Sequence, residues 1–536
     1  MNILLSVSIL LVVLTQNVRG SHRSDILTIN NEDNATSQLF DYRESHPDAQ
    51  LLTISTGQPV YLSDTNSLDT NLLSNAFLID SIFHAVNARI PAREVFPKGT
   101  GGFGYFEVTN NVTKYTKAKL FEKIGKQTPV VARVATSQIL SGGNDLRTLA
   151  ARGLSVKFYT EEGNLDLLGI GTPVYFYRDP LLFRELFHAL SRNPKTDVTD
   201  PTASMDFIIL NPIALHTFLW AFSDFGLPRG YRHLNSFPIH TFQLYNKDGE
   251  SSFVRFKFLS SLGYKSFSLK EAAAISGFDT DFFNRDFYNA IEQKKYPTWN
   301  LEMDVWLGCI DQTDFDLFDP TRIWPNGTYE TVPIGRVVLN RTVTNHFAQI
   351  EQAAFNPVNL VPGIRHPPGK LFQIRVLAYT LAQRNRLGVN SDKIEVNCPL
   401  YANNYNRDGQ PPVGDNGGDA PSYYPNSFNG PEPYYDPARP KKDLVIKEES
   451  VVHLEDSRRF YNEVLCDTQK QRLVDLMAMT FLRVNGTLQE RFIELLQKVD
   501  SDLAKRYRRT LERLNRTVNL PDLVEEINPL NPNPFQ

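Results

Sequence analysis

Arg375 and Tyr379 stand four residues apart in the stretch Ile374–Gly388, I-R-V-L-A-Y-T-L-A-Q-R-N-R-L-G. On a helix that spacing puts both on one face, a turn apart, where a guanidinium can stabilise a phenolate. A tyrosine held as an anion is a metal ligand, although Arg and Tyr at helical spacing more often form a plain packing contact. A second charged residue stands out in P-V-V-A-R-V-A-T, Pro129 to Thr136, which reads as a buried strand broken by Arg133. A buried guanidinium needs an anion beside it. In R-I-P-A-R-E-V-F-P-K-G-T-G-G-F-G-Y-F-E-V-T, from Arg89, the glycines predict a tight loop ahead of a strand over Phe103 to Thr109.

The elements that must position these groups follow from periodicity. Leu154 to Thr160 alternates like a barrel strand, and Leu181 to Arg192 reads as an amphipathic helix opening after Pro180. His240 to Leu259 alternates on both sides of Lys247-Asp248-Gly249, a hairpin signal. Ser268 with Glu271 predicts a capping box, and Asp279 to Lys295 a further helix. Val337 to Val343 is strand-like. Regular signals thin out between about 345 and 450, above all in the Pro/Gly/Asn/Tyr-rich 406–442 segment. From about Asp456 to Asn515 the period is helical, with a second capping box predicted at Thr487 and Glu490.

Composition narrows the class of partner. The 536 residues are 41% hydrophobic and 22% charged with a formal net charge of -4, so no overall field favours nucleic acid or an anionic membrane. A small-molecule ligand is the better default. The first twenty residues read as a secretory signal, with an apolar run from Ile3 to Leu14 that is too short to span a bilayer. Asn-x-Ser/Thr acceptors at Asn34, Asn111, Asn326, Asn340, Asn485 and Asn515 suit an exported glycoprotein. Cys309, Cys398 and Cys466 allow at most one intrachain disulfide, with the pairing open. Nothing has the ligand spacing of a zinc site.

The motifs together resemble those of the monofunctional haem catalases. R-x-x-x-Y followed by R-x-R-L-G is similar to that family's proximal haem helix, and the loop after Arg89 to its distal haem loop. The resemblance implies an α+β fold: an antiparallel β-barrel core over 81–343, preceded by an arm over 21–80 and followed by a wrapping connection with the proximal helix over 344–450. A C-terminal helical domain over 451–516 and a tail over 517–536 complete it, usually in a homotetramer. It further implies haem b, with Tyr379 on the iron, Arg375 keeping that tyrosine ionised, and Arg93, Arg133 and Arg386 on the propionates. Val95 falls on the apolar residue above the haem, and Phe183 on an aromatic lying against its face.

The distal side departs from the family pattern. The family's V-V-H-A-K-G reads E-V-F-P-K-G here, so Phe96 takes the position of the essential histidine. Ile170 takes that of the catalytic asparagine, and Ala135 that of the serine steadying the imidazole. Ala150 stands at an aspartate of the access channel. In the nicotinamide pocket of NADPH-binding catalases, His216, Ser223 and Asn235 match, but Phe225, Lys257, Leu259 and Asn326 do not, so NADPH is not carried over. The sequence therefore leads to a secreted haem protein with lost or strongly reduced peroxide dismutation, holding haem or a small ligand at the iron. Two alternatives stay open: a peroxide-consuming oxidoreductase on the same Tyr-ligated iron, and a haem-free scaffold.

Overall fold

The computed structural model describes residues 33–66, 71–137, 143–146, 151–308, 316–412, 414–441 and 452–517. The signal segment, Ala150, Cys309 and the tail beyond 517 lie outside the described residues. Contacts divide the chain into a unit ending at Asn87 and a unit from Ala88 onward. In the first, the expected extended arm contains two helices, Asn34–Ser45 and Ala76–Asn87. The second of these opens where the Asn75 side chain accepts from the Leu78 N–H, a cap hidden by the apolar text that follows it.

The second unit is built on one nine-stranded antiparallel sheet: β1 (Lys98–Val108), β2 (Gln127–Thr136), β3 (Arg152–Thr160), β4 (Gly163–Ile170), β5 (Phe242–Tyr245), β6 (Ser251–Ser260), β7 (Thr298–Trp306), β8 (Tyr329–Arg341) and β9 (Ile364–Arg365). The order is β4-β3-β2-β1-β8-β7-β6-β5-β9. Ser236 and Phe237 close the curl, bridging Phe258 on β6 and Ile170 on β4 respectively. The sheet's apolar side meets in rings such as Phe106 and Phe158, edge to face at 5.4 Å, and in the fully buried Trp299. Each such side chain contributes about 1.5–3 kcal/mol by burial.

The glycines after Lys98 do not form a loop. They lie inside β1, which is threaded between β2 and β8. A Cβ at Gly101 would overlap the Ala132 carbonyl oxygen, and one at Gly104 the Val338 carbonyl oxygen, so close strand approach demands their absence of side chain. The hairpin turn is confirmed at Gly249, with φ +84°. Ser268 and Glu271 form their capping box, while the later helix, Gly486–Val499, is capped by Asn485 accepting from the Thr487 N–H. Thr487 therefore sits inside the first turn, two residues too late to cap.

Helices Leu182–Leu190, Pro201–Leu210 and Leu215–Phe222 share a second core with the C-terminal helices Asp467–Thr480, Gly486–Val499 and Ser501–Thr517. Phe222 and Phe481 meet there at 5.6 Å. Between the barrel and these helices runs the irregular connection, which carries the helix Lys370–Leu387. Pro367 and Pro368 precede that helix, and Gly388 ends it at φ +85°. A fully buried ion pair, Lys157 Nζ to Asp166 Oδ1 at 2.8 Å, ties β3 to β4. Asp166 also accepts from the Asn356 N–H and the Asn359 amide, fixing the connection against the sheet.

Candidate functional site

Strand register assembles one wall of the site. Ala135 on β2 faces Gly153 on β3, which faces Ile170 on β4. Directly opposed residues of antiparallel strands point to the same side, so these three form an apolar row. The next row along is Arg133, Ser155 and Leu168. Ile170 is further pinned by reciprocal backbone bonds with Phe237, at 3.0 and 2.8 Å.

The segment before β1 covers the apolar row. Phe96 has φ +60°, a conformation costing a non-glycine residue on the order of 1–3 kcal/mol. Its ring reaches Gly153, where an added Cβ would stand 3.5 Å from two ring carbons. Gly153 thus leaves the space that the aromatic ring fills.

The helix Lys370–Leu387 supplies a further part of the lining, with Arg375, Tyr379 and Gln383 spaced one turn apart. The Arg375 guanidinium carbon lies 5.6 Å from the Tyr379 ring centroid. Its Nη1 donates to His240 Nε2 at 2.7 Å and its Nη2 to the Leu168 carbonyl oxygen at 3.4 Å. Since a guanidinium only donates, Nε2 is the accepting nitrogen and His240 is neutral. Burial, then the charges of Arg375 and Arg255, hold its pKa well below the ordinary histidine value.

At one end of the cavity three guanidinium groups gather around one carboxylate. Arg93 Nη1 donates to Glu351 Oε2 at 3.0 Å, and Arg386 Nη2 to Glu351 Oε1 at 3.0 Å. Arg93 also reaches the carbonyls of Ile350, Glu351 and Ala353, and Arg386 those of Pro91 and Glu351. Arg133 donates to the Pro97 carbonyl at 3.2 Å, while its buried Nε has no partner among the described residues. Burial pushes the Arg133 pKa down to about 10. Burial and the neighbouring charges of Arg133 and Arg386 likewise lower that of Arg93. Against Glu351 this leaves two positive charges uncompensated, with an orphaned N–H aimed at no acceptor. A ligand with two carboxylates fits that deficit, as a dicarboxylate porphyrin has.

Arg93, Val95, Phe96, Arg133, Ala135, Ile170, Arg375 and Tyr379 therefore line one cavity, of about 520 Å³ including its mouth. Arg386 stands behind the lining, coupled to it through Glu351 and through Gln383, whose Oε1 accepts from Nη1 at 3.2 Å. Phe183 is not among the lining residues and packs on Phe187 at 4.9 Å. The sequence reading missed His240, Glu351, Gln383, Ser155 and Gly153. Gln383 was findable, one turn beyond Tyr379. Glu351 was not, because its partner Arg93 is 258 residues away.

Among the described residues, the titratable groups lining the cavity are Arg93, Arg133, Arg375 and Tyr379, with no histidine, carboxylate, lysine or cysteine among them. Among those same residues, the surface around Phe96 offers aromatic and aliphatic contact and no proton acceptor. Elsewhere, Trp220 donates to His216 Nε2 at 3.2 Å and packs on Phe460 at 4.4 Å and Phe225 at 4.8 Å. His216, held by burial at a pKa of about 4, is part of that aromatic stack.

The catalase family model matches residues 53–430. A catalase of Methanosarcina barkeri is 41% identical over 87% of this chain and 94% of its own length. Catalase-2 of Caenorhabditis elegans is 38% identical over 89% of this chain and 98% of its own. Among solved structures, catalase A from Saccharomyces cerevisiae superposes with a TM-score of 0.81 at 31% identity, covering 87% of this chain and all of its own. A fungal catalase gives the same TM-score at 30% identity, over 87% of this chain and 98% of its own. With its closed antiparallel sheet, its arginine-ringed cavity and matches over nearly the whole chain, the protein belongs to the catalase family.

Proposed function

We propose that this catalase-family chain is a secreted haem-binding protein whose capacity for peroxide dismutation is lost or strongly reduced. The observation that carries the reading is the cavity itself: Tyr379 lines it together with Phe96, Ala135 and Ile170, and no histidine or carboxylate lines it among the described residues. Bound there, haem would supply an iron able to take a small ligand. Tyr379 would offer its phenol oxygen to the metal, with Arg375 beside it, oriented by neutral His240. Arg93 and Arg133 would hold the propionates, with Arg386 backing them from behind the lining through Glu351. The resemblance of these motifs to the catalase family's haem motifs supports these roles, and a family-like homotetramer is part of the proposal.

Splitting peroxide heterolytically requires a group that takes a proton from one oxygen and returns it to the other. Phe96 does neither, and Ile170 offers no hydrogen bond to orient the substrate. General acid/base catalysis is worth about 10²–10⁴-fold, and lost polar stabilisation adds to that. Oxygen release from hydrogen peroxide by the haem-loaded protein, normalised to haem, should be no faster than for free haemin. A rate orders of magnitude above haemin would support the second reading, an active peroxide-consuming enzyme, which the name "Catalase" on its relatives favours. A native protein free of haem would support a scaffold role. NADPH is not part of the proposal, since Phe225, Lys257, Leu259 and Asn326 depart from the nicotinamide pocket of NADPH-binding catalases.

A further inference from the structure

The cavity's chemistry bears on which ligands can reach a metal held by Tyr379. Ligands divide by what must happen to a proton. Hydrogen cyanide and hydrogen peroxide are neutral acids at physiological pH; each binds as its anion, so the H–C or H–O bond breaks and one proton must be accepted. Nitric oxide is a neutral diatomic with no proton to lose.

The groups facing the cavity are Arg93 from the segment before β1, Arg133 from β2, Ser155 from β3, and Arg375, Tyr379 and Gln383 from the Lys370–Leu387 helix. Guanidinium groups only donate, the Ser155 hydroxyl and the Gln383 amide are poor bases, and the Tyr379 oxygen would be committed to the metal. His240 is separated from the cavity by Arg375, to which its Nε2 is committed. The Phe96 side is closed by Val95, Ala135, Gly153 and Ile170, a surface on which water has too few polar partners to persist as a proton carrier.

Resting on the haem-binding reading above, we propose that this cavity selects neutral diatomic ligands, with nitric oxide as the probe, against ligands that must surrender a proton. Selection lies in the absence of any acceptor beside Phe96 among the described residues, and size plays little part, since cyanide and nitric oxide are both diatomic. Phe96 and its aliphatic row are thereby specificity-determining.

The test is stopped-flow ligand association with ferric haem-loaded protein, read by the Soret shift. Nitric oxide association should be constant with pH, and that of cyanide should rise with pH in proportion to the free anion in solution. Phe96→His should accelerate cyanide at neutral pH by about 10²–10⁴-fold, the range of general acid/base assistance, and change nitric oxide by less than about threefold. The wild-type pH profile keeps the test decisive should a variant fail to fold. Fast, pH-independent cyanide binding by the wild type, or a haem-loaded protein that ignores nitric oxide, would overturn the selectivity. A protein with no Soret band after loading would overturn the haem reading itself.

Discussion

Haem dimethyl ester, whose two propionates are neutral, isolates the role of the arginine cluster from that of Tyr379. Arg93, Arg133 and Arg386 face one carboxylate, Glu351, so the cluster is two charges short of balance. Their burial limits solvent screening: the side chains of Arg93 and Arg386 are 11% and 3% exposed. Hydrogen bonds to charged groups contribute about 1.5–3 kcal/mol each. Two propionates then give about 3–6 kcal/mol, a factor of about 10²–10⁴ in affinity. The assay is transfer of the cofactor to an excess of an apoglobin scavenger, followed at the Soret band. The ester should leave faster than haem by that factor. Arg133→Leu should accelerate the loss of haem by about 10–10²-fold, as one such bond implies, and the loss of the ester by much less. Equal dissociation of haem and ester, within about threefold, would refute the charge-balance argument, since even one such bond is worth more than that.

Other perturbations reach different parts of the account. Phe96→His with Ile170→Asn and Ala135→Ser should raise peroxide turnover by about 10²–10⁴-fold, measured as oxygen release per haem; no gain in a haem-loaded variant would show that the three positions do not form the distal site. Asp145 is buried and its Oδ2 accepts from the N–H groups of Phe283 and Asn284 at 3.0 Å. Burial raises its pKa from 3.8 to about 6. The folded state thus holds the proton more tightly, and the stability this confers is full below the unfolded value and lost as pH rises through the folded one. Asp145→Asn should gain on the wild type by up to about 3 kcal/mol between pH 4 and 7, read from urea midpoints; a constant difference would contradict the assignment. Lys157→Met strands the Asp166 carboxylate in the core and should cost about 3–5 kcal/mol, read from urea midpoints; a loss below about 1 kcal/mol would contradict the buried pairing.

The chemistry was legible in the sequence wherever it depended on local spacing. Arg375 and Tyr379 share a helix face, Arg133 interrupts an apolar strand, and Gly249 marks a hairpin, because each signal lies within a few residues. What escaped depends on strand register and on long-range approach. That Ala135, Gly153 and Ile170 form one row follows from the pairing of β2, β3 and β4, which no single segment reveals. The glycines of β1 read as a loop because the carbonyls they accommodate, those of Ala132 and Val338, come from other strands. Glu351 and His240 are the partners of functional arginines, and each meets its arginine only through the fold. Phe183 matched a motif and yet packs on Phe187, apart from the cavity lining.

The most direct measurement is the visible absorption spectrum of the purified native protein beside that of Tyr379→Phe. A Soret band in the native protein, displaced or lost when the phenol oxygen is removed, is the predicted result. A colourless native protein that also fails to take up added haemin, or a band indifferent to Tyr379→Phe, would contradict it.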